Sequence, residues 1–232
     1  MKSPKQELLF ETNEKSFYSA GNPDFIIQRF KSNGSNNVKH GSHPSELPLL
    51  KNRLGCYLFE YLTGFHIPTH FVQKHSENEM MLKNLKVFPL QVNVYNTAIG
   101  DFAKRFSVKE ETALEFPVIE HYHTFDHTKA WLNESHASAF NIATPEEFKQ
   151  INRLSSKVNA VLRSLFERRN LELAALQLEF GRDDNQIYLG GELSLATCRI
   201  LDGSSNRHRF MLNGEPAEKA YAELHDRLLL KV

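Results

Sequence analysis

Residues 144–195 read TPEEFKQINRLSSKVNAVLRSLFERRNLELAALQLEFGRDDNQIYLGGELSL, and this stretch decides the class of fold. Thr144 can cap a helix, Pro145 suits its first position, and Glu146 and Glu147 place carboxylates beside the unpaired N–H groups of the first turn. Apolar residues then return at Ile151, Leu154, Val158, Val161, Leu162 and Leu165, the period of one helical face. Leu171 to Phe180 and Ile187 to Leu195 are strand-like runs separated by the polar Gly181-Arg182-Asp183-Asp184-Asn185, which predicts a hairpin. A long amphipathic helix followed by an antiparallel pair, with no internal repeat, points to an α+β fold.

The flanking segments extend this pattern. Toward the N-terminus, Leu50, Leu54, Leu58 and Leu62 form one stripe of a helix over Leu49 to Tyr61, which Thr63-Gly64 ends before a strand at Ile67-Pro68. Residues 80–95 alternate, and Pro89 makes them two strands or one interrupted strand. Leu8 to Phe10 and Phe25 to Phe30 predict a strand pair around Ala20-Gly21-Asn22-Pro23. Residues 31–48 are polar and read as a surface loop suited to binding, with Ser35 in it. Ala217 to Leu230 closes the chain as a helix with Tyr221, Leu224 and Leu228 inward.

Composition narrows the function classes. Among 232 residues, 41% are hydrophobic and Lys plus Arg equals Asp plus Glu at 28 each, so no net field draws the chain to nucleic acid or an acidic membrane. Any anion site is therefore local. No apolar run approaches a membrane span, the start MKSPKQELLF lacks a secretory core, and Cys56 and Cys198 are far apart. A soluble, cytoplasmic protein with free thiols is expected. Phe88, Phe102, Phe106 and Phe116 read as core and cleft lining, because no basic stripe accompanies them as in a nucleic-acid platform. His66, His70 and His75 read as surface residues. His121 and His123 share one face of a strand, and with His127 or Asp126 they could ligate a transition metal; the bland alternative is a polar strand with exposed histidines. Cys198 beside Arg199 is either an activated thiol or, more simply, a buried inert one.

Several segments in one order carry a resemblance: NRLGCYLFEYL (52–62), IPTHFV (67–72), KNLKVFPLQVNV (83–94), FAKRF (102–106), LNESH (132–136), ATPEEF (143–148), LQLEFGRDD (176–184), TCRILD (197–202) and RHRF (207–210). In this order the chain resembles SAICAR synthetase over roughly residues 9–230. The resemblance implies a two-lobe fold, a small β-rich lobe over residues 1–92 and a larger α+β lobe over 93–232, with ATP in the cleft between them. It further implies a ligase that phosphorylates a carboxylate of an imidazole ribonucleotide with ATP and Mg²⁺, after which the amine of aspartate displaces the phosphate.

By the same resemblance Glu179 is the catalytic and metal-binding carboxylate, and Lys15, Lys83 and Lys86 bind the nucleotide. Tyr95, Asn96, Gly100, Asp101, Lys104, Arg105, Arg199 and Arg209 fall at substrate positions, and Asn133 is a retained position as well. The chain also departs from the family. Thr12-Asn13-Glu14-Lys15 stands for a Gly-Lys-Ala-Lys stretch and adds a carboxylate facing the phosphates; Gly191 stands for an aspartate, leaving Glu192 alone. Ala175 and Gln177 replace an Asp and a Lys, Tyr95 an arginine, Asp101 a serine, and Lys129 an aspartate of the lid segment. These changes imply a ligase with a different small-molecule substrate, a sugar phosphate or carboxylate. Two other readings are an inactive paralogue that binds a nucleotide or pairs with an active copy, and a metal-dependent enzyme using the His121–His127 segment. A homo-oligomer is compatible with each.

Overall fold

The computed structural model describes residues 7–31, 45–124, 129–184, 186–204, 206–211 and 217–229. Among them the order is β1 (Leu8–Glu11), β2 (Lys15–Ser19), β3 (Phe25–Phe30), α1 (Leu47–Gly64), β4 (Phe71–Ser76), β5 (Glu79–Lys83), β6 (Lys86–Ala98), α2 (Gly100–Arg105), β7 (Thr112–His123) and β8 (Ala130–Leu132). Then follow α3 (Glu134–Ala139), α4 (Pro145–Glu167), β9 (Leu171–Asp183), β10 (Gln186–Gly190), β11 (Cys198–Asp202) and α5 (Ala217–Leu229). The N-terminal strands make one antiparallel sheet, β1-β2-β3-β5-β4, and the rest a second, β10-β9-β6-β7-β8, with β11 also on β9. The fold is thus two-lobed α+β. Residue 92, where the lobe boundary was expected, lies inside β6, a strand paired only within the second sheet.

Alternation explains what β6 does. Phe88, Leu90, Val92 and Val94 are buried on one face in the core shared with Ile151, Val158 and Leu162 of α4, while Gln91, Asn93 and Tyr95 stand on the other. Each such buried aliphatic side chain stabilises by about 1.5–3 kcal/mol. One face therefore holds the lobe together and leaves the other free for chemistry. Residues 80–95 do hold two strands, β5 and β6, but they part at Asn84-Leu85 and not at Pro89, which lies inside β6 where the β6–β9 register shifts between Val87 and Gln91, since proline has no N–H to give the ladder.

The cap at Thr144 forms as expected. Its Oγ1 accepts the Glu147 N–H at 3.2 Å and Glu147 Oε2 accepts the Thr144 N–H at 2.8 Å. Thr144→Ala should cost about 1 kcal/mol, read as a lower urea midpoint with an unchanged slope.

Several expectations change. β2 was not anticipated, and the expected pair of Leu8–Phe10 with Phe25–Phe30 does not form, because Lys15–Ser19 lies between them and pairs with both. No strand begins at Ile67; instead the His70 N–H donates to Leu189 O at 2.8 Å and the Leu189 N–H to Pro68 O at 2.9 Å, stitching the two lobes together. His70 is consequently buried, unlike His66 and His75. Phe106 and Phe116 are exposed, at 55% and 72%, whereas Phe88 and Phe102 are buried. Both cysteines are free and buried, and burial pushes the Cys198 thiol up to about 12, which leaves it inert. Residues 32–44, Ser35 included, lie outside the described residues. No helix among the described residues is long and apolar enough to cross a membrane.

Candidate active site

Three neighbouring spaces share wall residues, the first between the lobes and the last within the larger one. A cleft of about 400 Å³ lies between the first sheet and the β9–β10 hairpin, with Lys15, His70, Lys83 and Glu179 on its walls. Lys15 and Glu179 also border a space of about 180 Å³ with Gln177, Glu192 and Thr197. Gln177 and Thr197 in turn border a cavity of about 270 Å³ lined by Tyr95, Gly100, Asp101, Lys129 and Arg199. The shared walls set the three spaces side by side, a candidate passage from the cleft to the cavity.

At its middle, Lys15 Nζ forms an ion pair with Glu192 Oε2. Burial opposes ionisation of Glu192, but the Lys15 ammonium, a hydrogen bond from Ser194 and the more distant Lys51 hold its carboxyl below the usual carboxylate range. Its other oxygen, Oε1, is buried without a hydrogen-bond partner, and Glu179 makes no hydrogen bond or ion pair among the described residues. Two carboxylates with unmet capacity thus face one space, an arrangement that calls for a cation. Gly191 matters here: its φ is +69°, and a Cβ would lie 2.9 Å from Glu179 Oε2. An aspartate at 191 does not fit this backbone with Glu179 where it is.

The β1–β2 turn corrects one expectation. Glu14 does not face the passage as a free charge, because Lys51 of α1 takes it at 2.7 Å. Lys83 sits at the cleft mouth, 5.2 Å from the Tyr188 ring centroid and 3.6 Å from Asp183. Lys86 is exposed and borders none of the three spaces.

In the cavity, Arg199, Ala175 and Tyr95 stand in one cross-strand row of β11, β9 and β6. Tyr95 stacks on Phe102 at 4.3 Å. Gln91 donates to Asn93 at 2.7 Å and Asn93 donates to the Tyr95 hydroxyl oxygen at 3.2 Å. This relay was missed, although three polar residues at two-residue spacing in the apolar run QVNVY were the signal. Gly100 has φ +56° and donates its N–H to Glu110, so it shapes the cavity rim with a conformation that favours glycine.

Other nominated residues are used elsewhere. Arg105 forks onto Glu120 at 3.0 and 2.6 Å and also meets Tyr122, away from the cavity. Lys104 is exposed, 4.0 Å from Asp101, and Arg209 pairs with Glu223 at 2.7 Å. Asn96 is buried in a reciprocal amide pair with Asn159, 2.8 Å each way, and is structural. Asn133 caps α3. His121 Nε2 lies 2.6 Å from Asn152 Oδ1, its ring packs on Phe148, and burial lowers its pKa. His123 is half-buried on the same strand, and His127 lies outside the described residues. Among the described residues no group of three or more His, Cys, Asp or Glu is arranged to hold a metal ion.

A family described as SAICAR synthetase matches residues 11–219. The phosphoribosylaminoimidazole-succinocarboxamide synthase of Chloroherpeton thalassium is 36% identical over 232 residues, covering 97% of this chain and 98% of its own, and that of Chlorobium chlorochromatii is 37% identical with the same coverage. Among solved structures, the phosphoribosylaminoimidazole-succinocarboxamide synthase of Ehrlichia chaffeensis superposes with a TM-score of 0.85 at 30% identity, covering 96% of this chain and 98% of its own. A SAICAR synthetase in complex with ADP gives a TM-score of 0.86 at 27% identity, covering 96% and 97%.

Proposed function

The chain belongs to the SAICAR synthetase family, and on that premise we propose that it is an ATP-dependent carbon–nitrogen ligase acting on a carboxylate different from that of its relatives. The observation that carries the reading is the alignment of these spaces: the interlobe cleft shares Lys15 and Glu179 with the central space, which shares Gln177 and Thr197 with the second cavity. Phosphoryl transfer needs such a meeting of phosphate donor and acceptor, with cations at the point of transfer.

In this reading ATP occupies the interlobe cleft and the acid occupies the cavity between Tyr95 and Arg199. A carboxylate oxygen attacks the terminal phosphorus, the bond to ADP breaks, and an acyl phosphate forms. The amine then attacks the acyl carbon, phosphate leaves, and the nitrogen releases a proton. The residues fit Mg²⁺: among the described residues Glu192 Oε1 is an orphan oxygen and the Glu179 carboxylate beside it is unpaired, so these two would hold the ion. The ion would supply neutralisation of the phosphate oxygens. Lys15 would exchange Glu192 for phosphate and hold charge there.

The change of substrate is supported by the cavity walls. Tyr95 cannot fork onto an anion as an arginine does, Asp101 adds negative charge at the rim, and Gln177 is neutral where the family resemblance implies a lysine. The reading is tested by ADP release with ATP, Mg²⁺ and a matrix of acids and amines. Lys15→Ala should weaken ATP binding by about tenfold, read as a smaller thermal shift; unaltered ATP affinity would remove Lys15 from the site. The Lys15–Glu192 pair also favours a second reading, an inactive paralogue in which this contact closes the passage. An ATP-dependent thermal shift with no ADP release from any pair would select it.

A further inference from the structure

We propose that the outer edge of β8 is an interface with a second copy of this chain, in which the two β8 strands run antiparallel about a two-fold axis with Trp131 against Trp131. β8 ends the second sheet, so the backbone groups on its outer side have no strand beside them among the described residues. Trp131, the chain's single tryptophan, stands there 57% exposed. Its ring meets His136 edge-on at 6.2 Å, and His136 stacks at 6.3 Å on Phe140, which is also exposed. A tryptophan steadied by a second ring has much apolar surface to bury and little freedom to lose, the qualities of a side chain that carries binding energy at an interface.

The other strand edges are guarded. β1 shifts register between Leu8 and Phe10, and a mate paired about Leu9 would set Glu7 opposite Glu11. β4 shifts register twice and carries Lys74, while β7 beyond its pairing with β8 carries Pro117 and a shift against β6. The segment from Pro68 to His70 bonds to Leu189 and covers β10.

Charge selects a second copy as the occupant. Lys129 directly precedes β8 and Glu134 follows it within two residues; both are exposed, and neither has a partner among the described residues. A strand end that is positive before and negative after is complementary to itself only when reversed. An antiparallel mate centred on Trp131 brings Lys129 of each copy opposite Asn133 and beside Glu134 of the other, twice by symmetry. The two copies, of zero net charge, do not repel at long range. Because Lys129 also lines the cavity of about 270 Å³, the contact would set Glu134 of the second copy near that cavity's rim.

The test is sedimentation velocity of the full chain over a concentration series, with tryptophan fluorescence followed on the same samples. A monomer–dimer equilibrium is expected, and the emission of Trp131 should move to shorter wavelength as the dimer forms. Lys129→Glu and Glu134→Lys should each weaken the dimer by at least about tenfold, and the double variant should recover it to within about threefold. Trp131→Ser should leave a monomer with the melting temperature of the monomeric charge variants, which separates a lost contact from a lost fold. A monomer at every concentration overturns the proposal and leaves the edge to a strand of a different protein. A dimer intact in Trp131→Ser, or charge reversals that do not compensate in the double variant, overturns it as well.

Discussion

Glu179→Ala is expected to lower ATP-dependent turnover by about a hundredfold to a thousandfold, the range seen when a preorganised electrostatic group is removed from a reaction centre. Glu179 borders both the interlobe cleft and the central space, yet no group among the described residues pairs with its charge. Glu192 cannot replace it alone, because one of its oxygens is already held by Lys15. The fold should not suffer: deleting one of two neighbouring carboxylates breaks no hydrogen bond, so the melting temperature without ligand should hold or rise. Turnover unchanged in the variant would place the chemistry elsewhere. A melting temperature several degrees lower would instead make Glu179 structural.

Acid should destabilise the protein through His70. Burial, and secondarily the Lys15 charge, lower its pKa to about 3, whereas in the unfolded chain it titrates near the ordinary 6.5. Above pH 6.5 the imidazole is neutral in both states and the stability is fully present. Below it the unfolded state takes up a proton that the folded state refuses, and stability falls by about 1.4 kcal/mol per pH unit until about pH 3. Summed over that window the loss approaches about 5 kcal/mol. His70→Gln should remove this part of the acid slope when urea midpoints are followed from pH 7 to pH 4. His121, whose pKa burial also lowers, works in the same direction, so a slope unaltered in His70→Gln would assign it there.

Much of this architecture was legible in the chain. The cap and stripe of α4, the leucine stripe of α1, the β9–β10 hairpin and the inward face of α5 each follow from a period set by local backbone geometry, and the buried residues agree. β2 escaped because Lys15–Ser19 is short and lacks a clear alternation, and becomes a strand only between two partner strands. His70 escaped for a similar reason. Its burial comes from Leu189, far along the chain, which pairs with the segment beside it.

For the candidate site, the chain by itself determined which residue types were on offer: Lys15, Glu179 and Glu192 in recognisable segments, and Tyr95, Lys129 and Arg199 in altered ones. Only the tertiary structure decided which charges are spent and which are free. Glu14 is quenched by Lys51, Arg105 by Glu120 and Arg209 by Glu223, while Arg199 and Lys129 meet no carboxylate among the described residues. The physical reason is range. Helical and strand periods are written in neighbours a few residues apart, but a charge acts on whatever the fold brings within a few ångströms, whatever the separation in sequence.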